Sequence, residues 1–137
     1  MPVLSGSLDT NVLLRLILND VPDQHQAALN LFEDASGQFD VADTAIIELI
    51  FALGRHYDFT RWEMAKALES LMALTKINCN RTLFEKVLPL FIKYPKLSFE
   101  DCYLAMYADL NAAGPLWTFD QKLASQAPAT KLIPPTS

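Results

Sequence analysis

Short segments that favour extended structure alternate with longer segments of helical periodicity along the chain. The extended segments are Val3 to Leu8, Phe39 to Ala42, Lys76 to Cys79 and Leu116 to Thr118, with Lys131 to Ile133 as a candidate fifth. One or two helical segments separate each pair. Strands that are joined through helices form a parallel sheet covered by helices. The alternation therefore predicts a three-layer α/β/α fold with a central parallel sheet of about five short strands.

The helical segments are bounded by capping and breaking residues. Pro22 occupies a first helical position, Gly37 and Gly114 follow helices, and Pro89 must be tolerated inside one. The expected helices are Val12 to Leu18, Gln24 to Asp34, one that opens at Asp43-Thr44, about Thr60 to Leu74, Leu83 to Tyr94, and Ser98 to Ala113.

Length and charge limit the possible functions. A chain of 137 residues is too short for two ordinary domains, so we expect a single domain over residues 1–137. The net charge of −5 argues against unselective nucleic-acid binding, which needs a surplus of Lys and Arg. Cys79 and Cys102 lack metal-ligand spacing and are expected to be buried apolar residues in a reducing compartment. No signal-peptide pattern and no apolar run of about 20 residues is present, which predicts a cytoplasmic protein without a membrane span.

Several carboxylates lie where α/β proteins form their sites. Asp9 follows the first strand, Asp43 and Glu48 lie beyond the second, and Asp120 follows the fourth. Ligands of open α/β sheets bind beyond the carboxyl ends of the strands. Asp9 and Asp120 also have a structural explanation, because an Asp between strand and helix commonly caps the helix. Asp101, three residues after Ser98, similarly resembles part of a capping box.

Glu48 has no such explanation, because it lies at least one turn inside an apolar helix. Its predicted helix face also carries Thr44, Ala45, Ala52 and Arg55. One interpretation is a partly exposed Glu that pairs loosely with Arg55. The other is a carboxylate that points into a cleft, where a cation compensates its charge.

The acids become more informative when they are considered together. Asp9, Glu48, Asp101 and Asp120 would repel one another if they were gathered in one pocket. A hard divalent cation removes that conflict, since Mg²⁺ and Mn²⁺ prefer oxygen ligands. The set therefore indicates a metal-dependent site of the kind used on phosphate esters.

Four motifs in this order resemble the PIN domain family, the metal-dependent ribonuclease fold of VapC-type toxins in bacterial toxin–antitoxin pairs. They are Leu8–Leu14 (LDTNVLL), Ile47–Leu49 (IEL), Ser98–Ala108 (SFEDCYLAMYA), and Thr118–Asp120 (TFD) followed by Leu123. The resemblance covers nearly the whole chain. The first strand, with Ser5, Gly6 and Ser7, is less apolar than is usual in the family. Glu100 adds a second acid beside Asp101, but Asp101 has the better spacing to the apolar helix face.

The resemblance implies a function and a set of site residues. Asp9, Glu48, Asp101 and Asp120 would form a Mg²⁺ or Mn²⁺ centre that hydrolyses RNA, with Asn11 and Thr118 in supporting roles. Candidate phosphate contacts are Arg15, Arg55, Arg61 and Lys122, although each by itself is more simply a solvated surface charge. The implied partners are an RNA substrate, a cognate antitoxin protein and a second copy of the chain in a homodimer.

Three alternatives stay open at this point. A housekeeping RNA-processing nuclease would carry the same acids as a toxin. A non-catalytic module of the same fold would bind RNA or protein, although it has no use for a costly carboxylate cluster. An aspartyl-phosphate phosphatase would need an Asp two positions after Asp9, where this chain has Asn11.

Overall fold

The computed structural model describes residues 3–136, which form two compact units. Unit 1 ends at Arg81, and unit 2 begins at Thr82. In the described part of the chain, no helix is long and apolar enough to cross a membrane.

Unit 1 contains a three-stranded parallel sheet and four helices. Its elements are β1 (Leu4–Ser7), α1 (Thr10–Ile17), α2 (Pro22–Asp34), β2 (Gln38–Asp40), α3 (Asp43–His56), α4 (Arg61–Met72) and β3 (Ile77–Asn78). The strand order is β1-β2-β3, with Ser7 opposite Asp40 and Phe39 opposite Ile77. The fully buried core of this unit includes Leu13, Ile46, Leu49, Leu53, Leu68 and Ile77. Because β1 and β2 are parallel neighbours, α1 and α3 both begin at the same edge of the sheet.

Unit 2 contains three helices and a two-stranded parallel sheet. Its elements are α5 (Arg81–Lys93, which starts one residue before the unit), α6 (Phe99–Leu110), β4 (Leu116–Thr118), α7 (Gln121–Gln126) and β5 (Thr130–Leu132). Phe84 and Phe91 are buried and contact the Phe99 ring, with centroids 6.0 Å and 5.2 Å away. α5 continues through the exposed Pro89, as the sequence required.

Secondary structure follows the sequence pattern closely. All five strands are present and every strand pair is parallel, so the α/β class is confirmed. The strand hydrogen bonds fall into two sets, three strands in unit 1 and two in unit 2, and not one continuous ladder of five. Cys102 is buried as expected, whereas Cys79 is partly exposed.

β1 is the most irregular strand, in keeping with its Ser and Gly content. Its four residues are all exposed, and the register with β2 shifts between Leu4 and Gly6. Gly37, at the start of β2, lies so close to β1 that an added Cβ would overlap the Val3 carbonyl and come within 2.9 Å of Ser5 Oγ. The close approach of two backbones therefore requires glycine at position 37.

Gly37→Ala is expected to lower the free energy of unfolding by about 1–3 kcal/mol, because the new methyl group forces β1 away from β2. Urea denaturation of both proteins measures the difference. Gly54→Ala is the matched control: its Cβ would meet only the flexible Met64 side chain, at 3.2 Å, and alanine favours the helix by about 1 kcal/mol. Equal stability of Gly37→Ala and the wild type would show that β1 accommodates the methyl group.

Candidate functional site

Unit 1 has an open cavity of about 620 Å³ at the edge of the sheet where α1 and α3 begin. Its lining includes both candidate acids of this unit, Asp9 and Glu48, and both are exposed to solvent. The other lining residues are Thr10, Asn11, Leu14, Arg15, Thr44, Ala45, Phe51, Ala52, His56 and Tyr57. The structure thus brings two of the four predicted acids, and the predicted supporting residue Asn11, to one cavity.

Asp9 is fixed by the strand before it and the helix after it. The backbone N–H of Leu8 donates to the Asp40 carbonyl at 3.0 Å and extends the parallel pairing to the end of β1. Asp9 Oδ1 accepts the backbone N–H of Val12 at 3.0 Å, so Asp9 caps α1. The capping role expected from the sequence is present, and it engages one of the two carboxylate oxygens.

Glu48 is held by a side chain that the sequence reasoning did not single out. The Thr10 hydroxyl lies 3.1 Å from Glu48 Oε2 and 3.1 Å from the Ala45 carbonyl oxygen, so its one proton is shared between α3 acceptors. This contact links the first turn of α1 to the middle of α3. The only sequence signal for Thr10 was its position between Asp9 and Asn11, inside the first motif.

The alternative pairing of Glu48 with Arg55 does not form. Within the described residues the two side chains make no ion pair, and the Arg55 guanidinium lies over the Phe51 ring, 5.7 Å from its centroid. Thr44, Ala45 and Ala52 do share the cavity with Glu48, as the helical spacing predicts, but Arg55 is not among the lining residues. Arg61, at the start of α4, does not line this cavity either.

Arg15 is the phosphate-contact candidate that lies in the cavity, and it is already held by a carboxylate. Its guanidinium donates to Asp20 Oδ1 at 2.5 Å, and the Tyr57 hydroxyl donates to Asp20 Oδ2 at 2.9 Å. Hydrogen bonds with Asp20 and Tyr57 raise the pKa of Arg15. Partial desolvation alone would raise the pKa of Asp20, but the bonds from Tyr57 and Arg15 outweigh it and lower the pKa. The network fixes a cation beside the two acids.

Asp20 is expected to make stability depend on acid pH. Its folded-state pKa lies below its unfolded value of about 3.9, so its contribution is fully present above that value and is lost as the pH falls through the folded pKa. Urea denaturation between about pH 6 and pH 2 should show the stability gap between wild type and Asp20→Asn closing as the pH falls. Tyr57→Phe should show a smaller gap with the same trend. Gaps that stay constant over this range would contradict the prediction.

The remaining predicted site residues lie in unit 2. Asp120 follows β4 and caps α7, accepting the backbone N–H groups of Lys122 and Leu123 at 2.9 Å and 3.2 Å. Thr118 Oγ1 accepts the backbone N–H of Asp120 at 2.9 Å, so Thr118 contacts the main chain of this candidate acid. Lys122 is exposed, and its backbone is part of this cap.

Asp101 lies in the first turn of α6, and its side chain is partly exposed. Its backbone N–H donates to the Ser98 hydroxyl at 3.0 Å, so Ser98 caps the helix as predicted. This hydrogen bond is made by the main chain of Asp101, so the carboxylate of Asp101 takes no part in the helix cap.

Two carboxylates at the cavity carry oxygen donors of the type that a hard divalent cation binds. Asp9 and Glu48 each engage one carboxylate oxygen in the bonds described above, and carboxylate oxygen is the donor type that Mg²⁺ and Mn²⁺ prefer. In residues 3–136, neither unit by itself brings three Asp, Glu, His or Cys side chains close enough to hold a metal ion. Unit 1 therefore offers two ligands of the correct type. Mg²⁺ is commonly held by one or two carboxylates with waters completing its shell.

Comparisons with known proteins identify similarity to a protein family and to a solved structure. The PIN domain family model matches residues 7–127, a range that contains all four candidate acids. A search of curated protein sequences found no match. Among solved structures, a chain described as "Toxin-antitoxin complex from Klebsiella pneumoniae" is 20% identical, with 92% of this chain and 95% of that chain covered and a TM-score of 0.34.

Proposed function

Because the chain belongs to the PIN domain family, a family of nucleases, we propose that it is a metal-dependent endoribonuclease and the toxin of a type II toxin–antitoxin pair. The observation that carries the proposal is the shared cavity of Asp9 and Glu48 at the sheet edge. The four motifs resemble those of VapC-type toxins in order and spacing. The family match also crosses from unit 1 into unit 2, which supports a single domain over residues 1–137.

Different residues of this chain would have different roles in phosphodiester hydrolysis. Asp9 and Glu48 would hold the cation with their carboxylate oxygens, and the hydrogen bond from the Thr10 hydroxyl would keep Glu48 in position at the cavity. The chemistry that Mg²⁺ or Mn²⁺ would supply there, when bound, is activation of a water and neutralisation of charge on the phosphate. By resemblance to the family, Asp101 and Asp120 would belong to the same acidic set, and Thr118 would position Asp120 through the hydrogen bond to its main chain. By resemblance to the family, the products carry a 5′-phosphate and a 3′-hydroxyl.

The net negative charge makes the placement of cations important for an RNA substrate. Arg15 is the basic candidate within the cavity, and its bond to Asp20 keeps it in one orientation. Arg55 does not line the cavity, but its guanidinium lies over the ring of Phe51, which does. Arg61 and Lys122 are weaker candidates, because neither lines this cavity.

The proposed partners follow from the toxin role and from exposed apolar side chains. Leu31 and Leu74, on or just after helices of unit 1, are 48% and 40% exposed, and apolar patches on a small protein commonly mark interaction surfaces. We therefore propose a cognate antitoxin and a homodimer, acting in the cytoplasm.

A housekeeping RNA-processing nuclease is the alternative biological role. A small upstream reading frame with a DNA-binding pattern would support the toxin role.

The direct test is RNA cleavage with and without a divalent cation. Purified protein is expected to cleave structured RNA in Mn²⁺ or Mg²⁺ and to stop when EDTA is added. The same cations should raise the melting temperature, since a ligand that binds only the folded state stabilises it. RNA that is bound but stays intact under these conditions would favour the non-catalytic module of the same fold.

A further inference from the structure

Phe51 is a large aromatic side chain that the core of unit 1 does not use. The buried residues of α3 are Ile46, Leu49, Ile50 and Leu53, whereas Phe51 is 62% exposed. It lies three residues after Glu48, so both side chains project from neighbouring positions on one helix surface. Both line the same cavity. An exposed aromatic ring at this place needs an explanation other than folding.

The groups around Phe51 suit a nucleotide. Arg55, one turn further along α3, lies with its guanidinium 5.7 Å from the ring centroid, and His56 lines the cavity beside it. Aromatic rings stack on unpaired bases of any sequence, and Arg adds cation–π and phosphate contacts. Bases in a duplex are already stacked, so such a platform favours single-stranded segments, loops or ends.

We propose that Phe51 is a base-stacking platform that selects unpaired nucleotides next to the acidic site, with Arg55 contacting the flanking phosphate. This inference rests on the proposed ribonuclease function and adds to it the residue that would hold the unpaired base. The acids Asp9 and Glu48 would act on the phosphodiester, and Phe51 would hold a neighbouring base at the rim of the cavity. Phe51 is thereby a specificity-determining residue and performs no chemistry itself.

The chain offers a closely matched control in Trp62. Trp62 is also 62% exposed and also has a cation four residues later over its ring, Lys66 at 5.4 Å from the centroid. It lies on α4 and lines a different, mostly apolar cavity that contains neither Asp9 nor Glu48. Removing either ring therefore removes an exposed aromatic surface and a cation–π contact, but only Phe51 lies at the proposed site.

The binding test uses the Glu48→Gln background, in which the RNA should stay intact. The probe is a short single-stranded RNA of mixed sequence with 2-aminopurine in place of adenine, whose fluorescence is quenched on stacking, and the comparison is a duplex of the same composition. Phe51→Leu should weaken single-strand binding about tenfold and remove the quenching, and Phe51→Trp should retain both. Trp62→Leu should behave as the parent.

The cleavage arm uses the wild-type background, where Phe51→Leu should raise KM for single-stranded RNA with little change in kcat. Equal single-strand binding by Phe51→Leu and its parent, or equal losses in Phe51→Leu and Trp62→Leu, would overturn the platform. The platform would also be overturned if Phe51→Leu left the quenching unchanged and its effect, measured by sedimentation, were dissociation of a dimer into monomers. The nuclease proposal can fail independently of the stacking proposal. If wild-type protein quenches the probe through Phe51 but cleaves no RNA, the stacking role of Phe51 is supported and the catalytic function is refuted.

Discussion

Glu48→Gln is expected to lower metal-dependent RNA cleavage by about 100-fold or more and to change the free energy of unfolding by less than about 0.5 kcal/mol. The amide oxygen of Gln can still accept the Thr10 hydroxyl, which lies 3.1 Å from Glu48 Oε2, so the link between α1 and α3 is kept. The negative charge that would hold the cation is lost. Initial cleavage rates in Mn²⁺ and urea denaturation of the same preparations measure the two effects.

The control for the Glu48 prediction is a carboxylate of the same type elsewhere in unit 1. Glu33→Gln changes an exposed Glu on α2 that does not line the cavity, and it should cleave RNA at the wild-type rate. Thr10→Val should show an intermediate loss of about tenfold, because Glu48 is retained without its hydroxyl donor. Cleavage by Glu48→Gln at the rate of Glu33→Gln would exclude Glu48 from the chemistry.

The parallel α/β class could be predicted because local patterns determine it. Apolar β-favouring runs, capping residues such as Thr60 and Ser98, and helical spacing placed the five strands and the helices α1 to α6 within a few residues, whereas the short helix α7 was not among the expected helices. The pairing of strands depends on contacts between distant segments, and no local pattern reported the two separate sets of hydrogen bonds. The requirement for Gly37 was equally hidden, since it comes from the Val3 carbonyl, which lies just before β1 and is distant in sequence.

The sequence drew attention to Asp9, Glu48 and Asn11 in the cavity, but not to Thr10 and Phe51. A carboxylate such as Glu48 in an apolar helix departs from the expected pattern, so the sequence alone draws attention to it. A threonine beside a cap and a phenylalanine in an apolar run are unremarkable in sequence. Thr10 and Phe51 acquire a role only when folding places them at the cavity. The alternative pairing of Glu48 with Arg55 also could not be judged from the sequence, because the Arg55 guanidinium lies over the Phe51 ring in the folded protein.

Asp9 and Asp120 raise a question that substitutions can answer, because each has a structural role in addition to its proposed catalytic one. Asp9 caps α1 and Asp120 caps the six-residue helix α7. Asn caps a helix about as well as Asp, since its side-chain oxygen also accepts a backbone N–H, whereas Ala removes the cap at a cost of about 1 kcal/mol. Asn is a poorer ligand for Mg²⁺ because it carries no charge. The Asp-to-Asn and Asp-to-Ala variants therefore separate the two roles.

Asp9→Asn and Asp120→Asn are expected to retain wild-type stability without metal and to lose both the metal-induced rise in melting temperature and about 100-fold or more of the cleavage rate. The corresponding Ala variants should lose the same activity and a further 1 kcal/mol or so of stability. Thr60→Ala is the control, because it removes a neutral cap, that of α4, and should lose stability without losing cleavage. If the Asn variants cleave RNA and respond to Mn²⁺ like the wild type, the two aspartates are helix caps and the metal is held by other residues.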